Sequence, residues 1–328
     1  MKRIRTGVIG VGNMGRHHAR VYSQHHNIDL IGVYDVSKEN RESVARGLKV
    51  EAFDSVDKLL EEADIVSIAV PTSLHFFYGM KAISSGKHIL IEKPIASTID
   101  QASALVKAAR NKGVVLQVGH IERFNPAFQE LKKILMGNII EAIDIRRLSP
   151  FDGRINDADV VLDLMIHDLD IIQDLIGLDY KALNSLGRCV KSQEDVDYAV
   201  TSFQSKNNVI VTLTASRITE QKVREIAITT DSSYILTDLM ERKITISRRT
   251  NLDYYQSNEH QTYRQENIIE KIFVPNAEPL QLELSHFVDC VLKGNKPMVD
   301  GEAGQRTLEM AIKVQDEIYG LILDKGIM

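Results

Sequence analysis

The run Gly10-Val11-Gly12-Asn13-Met14-Gly15 stands directly after the β-branched stretch Ile4 to Ile9 and directly before an amphipathic segment. That placement narrows the fold more than any other feature of the 328 residues. A glycine-rich turn between a strand and a helix is the phosphate-binding corner of a parallel βαβ unit. Gly10 permits the tight turn, Gly12 lets the backbone approach a pyrophosphate, and Gly15 lets helix and strand pack closely. Asn13 and Met14 open the helix whose N–H groups face the anion. Asp35 lies twenty residues after Gly15, at the end of the next β-rich run. A carboxylate there accepts both hydrogen bonds of an adenosine ribose diol and repels a 2′-phosphate. NAD is therefore the expected cofactor, with NADP kept open by Ser37 and Lys38.

The same alternation continues. Asp29 to Tyr34, Ile65 to Val70, His88 to Ile91 and Val114 to Val118 are short apolar runs separated by helical patterns, as parallel βαβ units require. After Gly119 the pattern changes. Helices are expected near Pro126 to Met136 and Asp159 to Ile176. Strands follow at Glu141 to Leu148, Tyr198 to Gln204, Val209 to Ala215, Arg224 to Thr230, Tyr234 to Leu239 and Lys243 to Ser247. The expected fold class is α/β: an N-terminal Rossmann domain with a doubly wound parallel sheet over 1–120, then an α+β domain with a large, mostly antiparallel sheet over 121–328. Two C-terminal helices, about Leu280 to Leu292 and Gly304 to Leu323, have the spacing to pack on that sheet or return to the first domain. Residues 248–268 are polar without a clear period and read as a loop or an exposed hairpin of unassigned role.

Charge and cysteine usage remove several functions. A net charge of -5 offers no basic field to nucleic acid or anionic lipid, so neither is an expected partner. No apolar run reaches the length of a membrane span, and Gly7, Gly10, Gly12 and Gly15 interrupt the apolar start before it resembles a leader. Cys189 and Cys290 lie far apart without a CxxC, so no disulfide framework or zinc site is expected and the compartment reads as cytoplasmic.

Asp163 and His167 are four residues apart, so on a helix they share a face, and a carboxylate there orients an imidazole and favours its protonated form. Residue types alone leave this pair open between a proton-transfer couple, a surface pair and part of a metal site. The last is poor, because two ligands lack a third at suitable spacing. The order of four elements then becomes specific: the glycine-rich start, Pro71-Thr72-Ser73-Leu74-His75, Glu92-Lys93-Pro94, and Asp163-Leu164-Met165-Ile166-His167-Asp168. Together they resemble the glucose-fructose oxidoreductase, inositol dehydrogenase and MocA-like family over essentially the whole chain. The resemblance implies an NAD(P)-dependent dehydrogenase acting on a CH–OH group, with Lys93, Asp163 and His167 catalytic. It implies further that Pro71, Thr72, His75, Glu92 and Lys93 line the cofactor beside Gly10, Gly12, Asn13, Met14, Gly15 and Asp35. Many relatives carry glycines before the catalytic aspartate, whereas this chain has Ala158-Asp159-Val160-Val161-Leu162.

Gly119-His120-Ile121-Glu122-Arg123-Phe124-Asn125-Pro126 is similar to the junction of a narrower group in that family, the UDP-N-acetylglucosamine 3-dehydrogenases. This implies a sugar or nucleotide-sugar substrate oxidised at its 3-hydroxyl, with substrate met by Lys93, Arg123, Asn125, Asp163 and His167. An aminotransferase is a plausible consumer of the product. Arg146, Arg147 and Arg154 are further candidate diphosphate donors, and Asn125-Pro126 is equally an ordinary helix start. His17 and His18 read as packing or surface residues. A free-polyol dehydrogenase and a non-catalytic dinucleotide sensor are the alternatives. An open sheet face in the second domain implies a homodimer or homotetramer.

Overall fold

The computed structural model describes residues 3–151, 158–192, 194–256 and 261–324; over 249–266 and 323–324 the description is of the backbone alone. The chain divides into two compact units, 1–124 with 277–310, and 125–276 with 311–328. The sequence places the boundary at 120; the structure places it at the start of a helix and gives 277–310 to the first unit.

The first unit alternates β1 (Ile4–Ile9), α1 (Asn13–Ser23), β2 (Ile28–Tyr34), α2 (Lys38–Leu48), β3 (Glu51–Phe53), α3 (Val56–Glu62), β4 (Ile65–Ile68), α4 (Thr72–Ser84), β5 (His88–Glu92), α5 (Ile99–Lys112) and β6 (Leu116–Gly119). The six strands are parallel in the order β3-β2-β1-β4-β5-β6. The reversal of strand order beside β1 is the switch point where open α/β sheets bind ligands, outside the carboxyl ends of the strands. β1, β4 and β5 are buried almost throughout, as strands covered on both faces must be. Ser37, Ser55 and Thr98 cap α2, α3 and α5 through side-chain oxygens, and Gly113 ends α5 in the left-handed conformation. A 3-10 turn, Ile121–Phe124, closes the run.

The second unit begins with α6 (Pro126–Leu135), β7 (Ile140–Leu148), a π turn over Val161–Met165, and α7 (Ile166–Leu175). It continues with β8 (Tyr180–Arg188), β9 (Tyr198–Ser205), β10 (Ile210–Ser216), β11 (Val223–Thr230), β12 (Ser233–Asp238), β13 (Lys243–Gln256) and β14 (Gln261–Ile272). Its eight strands run β14-β13-β12-β11-β7-β10-β9-β8, antiparallel except for the β7–β10 pair. The polar segment 248–268 is thus mostly paired backbone, in the β13–β14 hairpin. Alternation along β7 sends Ile143, Ile145 and Arg147 to a buried face and leaves Asp144 and Arg146 exposed.

Two helices complete the fold. α8 (Pro279–Lys293) sets Leu280, Leu284, Phe287 and Val288 into the apolar core of the first unit, against Val8, Ala19 and Tyr22. α9 (Gly301–Asp324) is divided: Gly304 packs so closely on Val118 that any side chain there would clash, whereas Gln315 and Tyr319 bond within the second unit. Among the described residues no helix is long and apolar enough to cross a membrane.

Arg147 corrects an expectation. Offered by the sequence as a diphosphate donor, it lies on the covered face with its Nε 2.7 Å from Asp168 Oδ1, and the two side chains are 3% and 0% exposed. This pair pins α7 to β7. Breaking one partner of a buried ion pair strands the other charge, so Arg147→Met should lower unfolding stability by about 3–5 kcal/mol. Arg147→Met with Asp168→Leu should recover much of that. Urea denaturation reads both, and a single-variant loss below about 1 kcal/mol contradicts the assignment.

Candidate active site

The loop after β1 is shaped by what its glycines lack. Gly10 has φ +83° and donates its N–H to Tyr34 O at 2.8 Å, and an added Cβ would press on the backbone of Ala69. A Cβ on Gly15 would run into the carbonyl oxygen of Gly10. At Gly12, by contrast, a Cβ would meet nothing within 4 Å. The open side of the loop therefore faces Gly12, where α1 begins with no side-chain cap on its first N–H groups. Asn13 is exposed and Met14 half-buried there. An uncapped N-terminus beside an open glycine fits a pyrophosphate, so the residues present fit a bound dinucleotide.

Asp35 stands half-buried beyond β2. Its Oδ2 accepts from Val11 N–H and its Oδ1 from Ser37 N–H, each at 2.8 Å. The carboxylate is therefore braced between the glycine loop and the start of α2, and each oxygen keeps a lone pair for a diol. Arg16 spans from Val11 O to Asn40 Oδ1 across the same corner.

At the ends of β4 and β5 the other cofactor candidates come together. Pro71 precedes α4 and Thr72 begins it, and one turn on, His75 is buried with Nδ1 2.7 Å from Pro94 O and Nε2 2.9 Å from Val70 O. Burial holds its pKa below the ordinary histidine value, against the opposing pull of both carbonyls and of Glu92. Lys93 is half-buried, its peptide bond to Pro94 is cis, and its N–H donates to Glu92 Oε2 at 3.3 Å. Glu92 does not face outward. Its Oε1 lies 2.9 Å from His18 Nε2, and His18 Nδ1 lies 3.0 Å from Ser67 Oγ, which Tyr22 OH approaches at 3.1 Å. Burial by itself would raise the Glu92 pKa; the hydrogen bond and charge of His18, with Lys93 and His75, hold it below the ordinary glutamate value.

In the second unit, Asp163 sits within the π turn and His167 one residue into α7, both half-buried between buried Leu164, Met165 and Ile166. A regular helix was expected here; the turn is instead widened to a π geometry, a distortion concentrated at functional sites. Asp159, named in the sequence only as part of a departure from the family's pattern and given no role there, shows how it is held. Its Oδ1 accepts from Val161 and Leu162 N–H, both at 3.0 Å, and its Oδ2 from Gln315 Nε2 at 2.9 Å and Tyr319 OH at 3.1 Å. This aspartate supplies by side chain a local backbone anchor for the turn.

The junction residues divide between the units. Arg123, in the 3-10 turn, is buried at 3% exposure. Asn125 caps α6, its Oδ1 accepting from Ala127 N–H at 3.0 Å while Nδ2 donates to Leu239 O at 3.1 Å. Its amide works for the fold. Arg146 is exposed, and Arg154 lies outside the described residues. Among the described residues no cluster of three or more His, Cys, Asp or Glu is placed to hold a metal.

Known proteins resemble this chain along nearly its whole length. Residues 4–120 match the model of the oxidoreductase family with an NAD-binding Rossmann fold, and residues 147–235 match the GFO/IDH/MocA C-terminal domain. The chain is 34% identical over 320 residues to a UDP-N-acetylglucosamine 3-dehydrogenase of Acidithiobacillus ferrooxidans, covering 96% of this chain and 97% of that one. A solved structure of such an enzyme from the same organism superposes with a TM-score of 0.88 at 33% identity, covering 97% and 98% of the two chains. A scyllo-inositol 2-dehydrogenase (NAD(+)) of Bacillus subtilis is 28% identical, covering 94% and 92%. With both family domains matched in order and a relative of this identity along nearly its whole length, the chain belongs to the GFO/IDH/MocA oxidoreductases.

Proposed function

We propose that this protein oxidises the 3-hydroxyl of UDP-N-acetylglucosamine to a 3-keto sugar, with NAD as oxidant. The observation that carries the reading is the nearly full-length identity to an enzyme named for that reaction, in a chain that retains Lys93, Asp163 and His167. The match to an inositol dehydrogenase is weaker in identity, so a free polyol is the second candidate.

A dinucleotide held by the Gly10–Gly15 loop and Asp35 would supply the hydride acceptor; the rest falls to the protein. The hydroxyl must also lose its proton. In this reading His167 takes it at Nε2, because Nδ1 is buried. Asp163 favours the imidazolium that results, and the Lys93 ammonium stabilises the oxygen as its bond to carbon gains double-bond character. Asp35 selects NAD by accepting from the ribose diol while repelling a 2′-phosphate. Arg123 is retained as a residue toward the nucleotide-sugar side. The uridine diphosphate supplies binding energy remote from the reacting carbon. The product ketone is labile, and an aminotransferase that makes a 3-amino sugar is the class of enzyme that would consume it.

Three outcomes test this. On a panel of UDP-sugars and inositols, formation of reduced cofactor should be fastest with UDP-N-acetylglucosamine, and plain N-acetylglucosamine should lose turnover as well as affinity; activity on inositol alone reverses the assignment. His167→Asn should bind cofactor normally yet lose roughly a hundredfold or more in kcat, and an unchanged kcat at saturating sugar removes His167 from the mechanism. NAD should bind more tightly than NADP, with Asp35→Ser narrowing the gap, and equal dissociation constants in the unaltered protein would contradict the role given to Asp35.

A further inference from the structure

One buried chain of polar groups in the first unit is not used by any step above. It starts at Tyr22 on α1, passes through Ser67 on β4 and His18 on α1, and ends at Glu92 on the last residue of β5. Tyr22, Ser67 and His18 are each 0% exposed, and the Glu92 side chain is 12% exposed. Polar groups buried this deeply cost stability unless every donor finds an acceptor.

The chemistry of the four groups gives the chain a direction. An ionised carboxylate only accepts, so His18 Nε2–H donates to Glu92 Oε1. A neutral ring would accept the Ser67 hydroxyl at Nδ1 and a protonated ring would donate to Ser67 Oγ, and in both Ser67 Oγ can accept from Tyr22, so the line is satisfied either way. Burial drives the Tyr22 phenol far above its ordinary pKa, so it stays a donor. At the far end the carboxylate is confined: a Cβ added to Gly119 would stand 3.1 Å from Glu92 Cδ and Oε2, so the glycine leaves room for this one placement. Oε2 then accepts the N–H of Lys93.

We propose that His18 is a positioning residue for Lys93: by holding the Glu92 carboxylate turned inward through the Nε2–Oε1 bond, it fixes the backbone from which Lys93 projects. The proposal rests on the reading of Lys93 as catalytic. It also means that the helix bearing the dinucleotide loop and the strand bearing Lys93 are joined by a charged hydrogen bond. The charged and titratable groups facing Glu92 are His18 from α1, Lys93 from its own chain end and His75 from α4.

The test compares His18→Leu with His18→Gln, whose amide N–H reaches toward the position of Nε2. In His18→Leu the burial of Glu92 is opposed only by Lys93 and His75, so its pKa rises and the carboxylate is lost as pH falls through the new value. Turnover at neutral pH should drop roughly tenfold, the scale of one charge-assisted hydrogen bond. KM for the sugar and affinity for reduced cofactor should stay within about twofold, and a new limb should restore kcat as pH rises. His18→Gln should keep kcat within about threefold and show no new limb. Equal losses in both variants with flat pH profiles, or no loss in His18→Leu, overturn the proposal. Carbon-13 NMR titration of labelled glutamate, with Glu92 assigned through Glu92→Gln, reads the same effect without substrate. If the unaltered enzyme oxidises no sugar, the catalytic reading fails while this titration still decides the role of His18: an unmoved Glu92 transition in His18→Leu refutes it. Should His18→Leu not fold, His18→Leu with Glu92→Gln removes the buried charge, and its kcat should be low at every pH; a normal kcat there would also overturn the proposal.

Discussion

The close seat of α1 on β1 is the constraint from which the first unit follows. It exists because position 15 has no side chain: the helix starts so near the strand that a Cβ there would strike the Gly10 carbonyl. With the helix this low over the sheet, its next turns reach across β1 toward β4 and β5. His18 bonds Ser67 and Glu92, and Tyr22 bonds Ser67, while Ala19 and Val21 enter the apolar core with Leu284 and Phe287 of α8. The same closeness lets Val11 N–H reach the Asp35 carboxylate. The glycine loop, Asp35 and the end of β5 that precedes Lys93 are thus tied together by one set of contacts.

The second unit solves a similar problem by other means. A π turn leaves backbone groups out of register with a regular helix, so Asp163 needs external support. Asp159 supplies it from the N-terminal side, bonded to two turn amides and to Gln315 and Tyr319 of α9. Arg147 and Asp168 supply it from below, at the residue next to His167. Buried charges are expensive to hold and weak as sources of stability, but once paired they are exacting about geometry. That is a use for them beside His167, the residue proposed above to accept the proton.

Much of this was legible in the sequence, because βαβ alternation, glycine spacing and the Asp35 interval are local patterns with direct physical causes. What escaped was non-local or weakly patterned. β3 is three residues long, too short for any period, and β8 is largely exposed at the sheet edge, so neither carried an apolar signal. The π turn left no local signal, and the groups that hold Asp159 ahead of it, Gln315 and Tyr319, lie over 150 residues away. One misreading, Arg147, and one residue read only as packing or surface, His18, had a usable signal. Arg147 falls in phase with Ile143 and Ile145, which places it on the buried face of β7. His18 falls on the stripe of Gly15, Ala19 and Tyr22 that α1 buries, so it had to find polar partners inside.

Which carbon is oxidised decides the reaction. The product formed from UDP-N-acetylglucosamine and NAD should be reduced with borodeuteride as it forms, and the deuterium located by mass spectrometry and NMR. Label at C3 of the hexosamine is the predicted result. Label at C4 or C6, or no label in any UDP-hexosamine while a free polyol is oxidised, would contradict it.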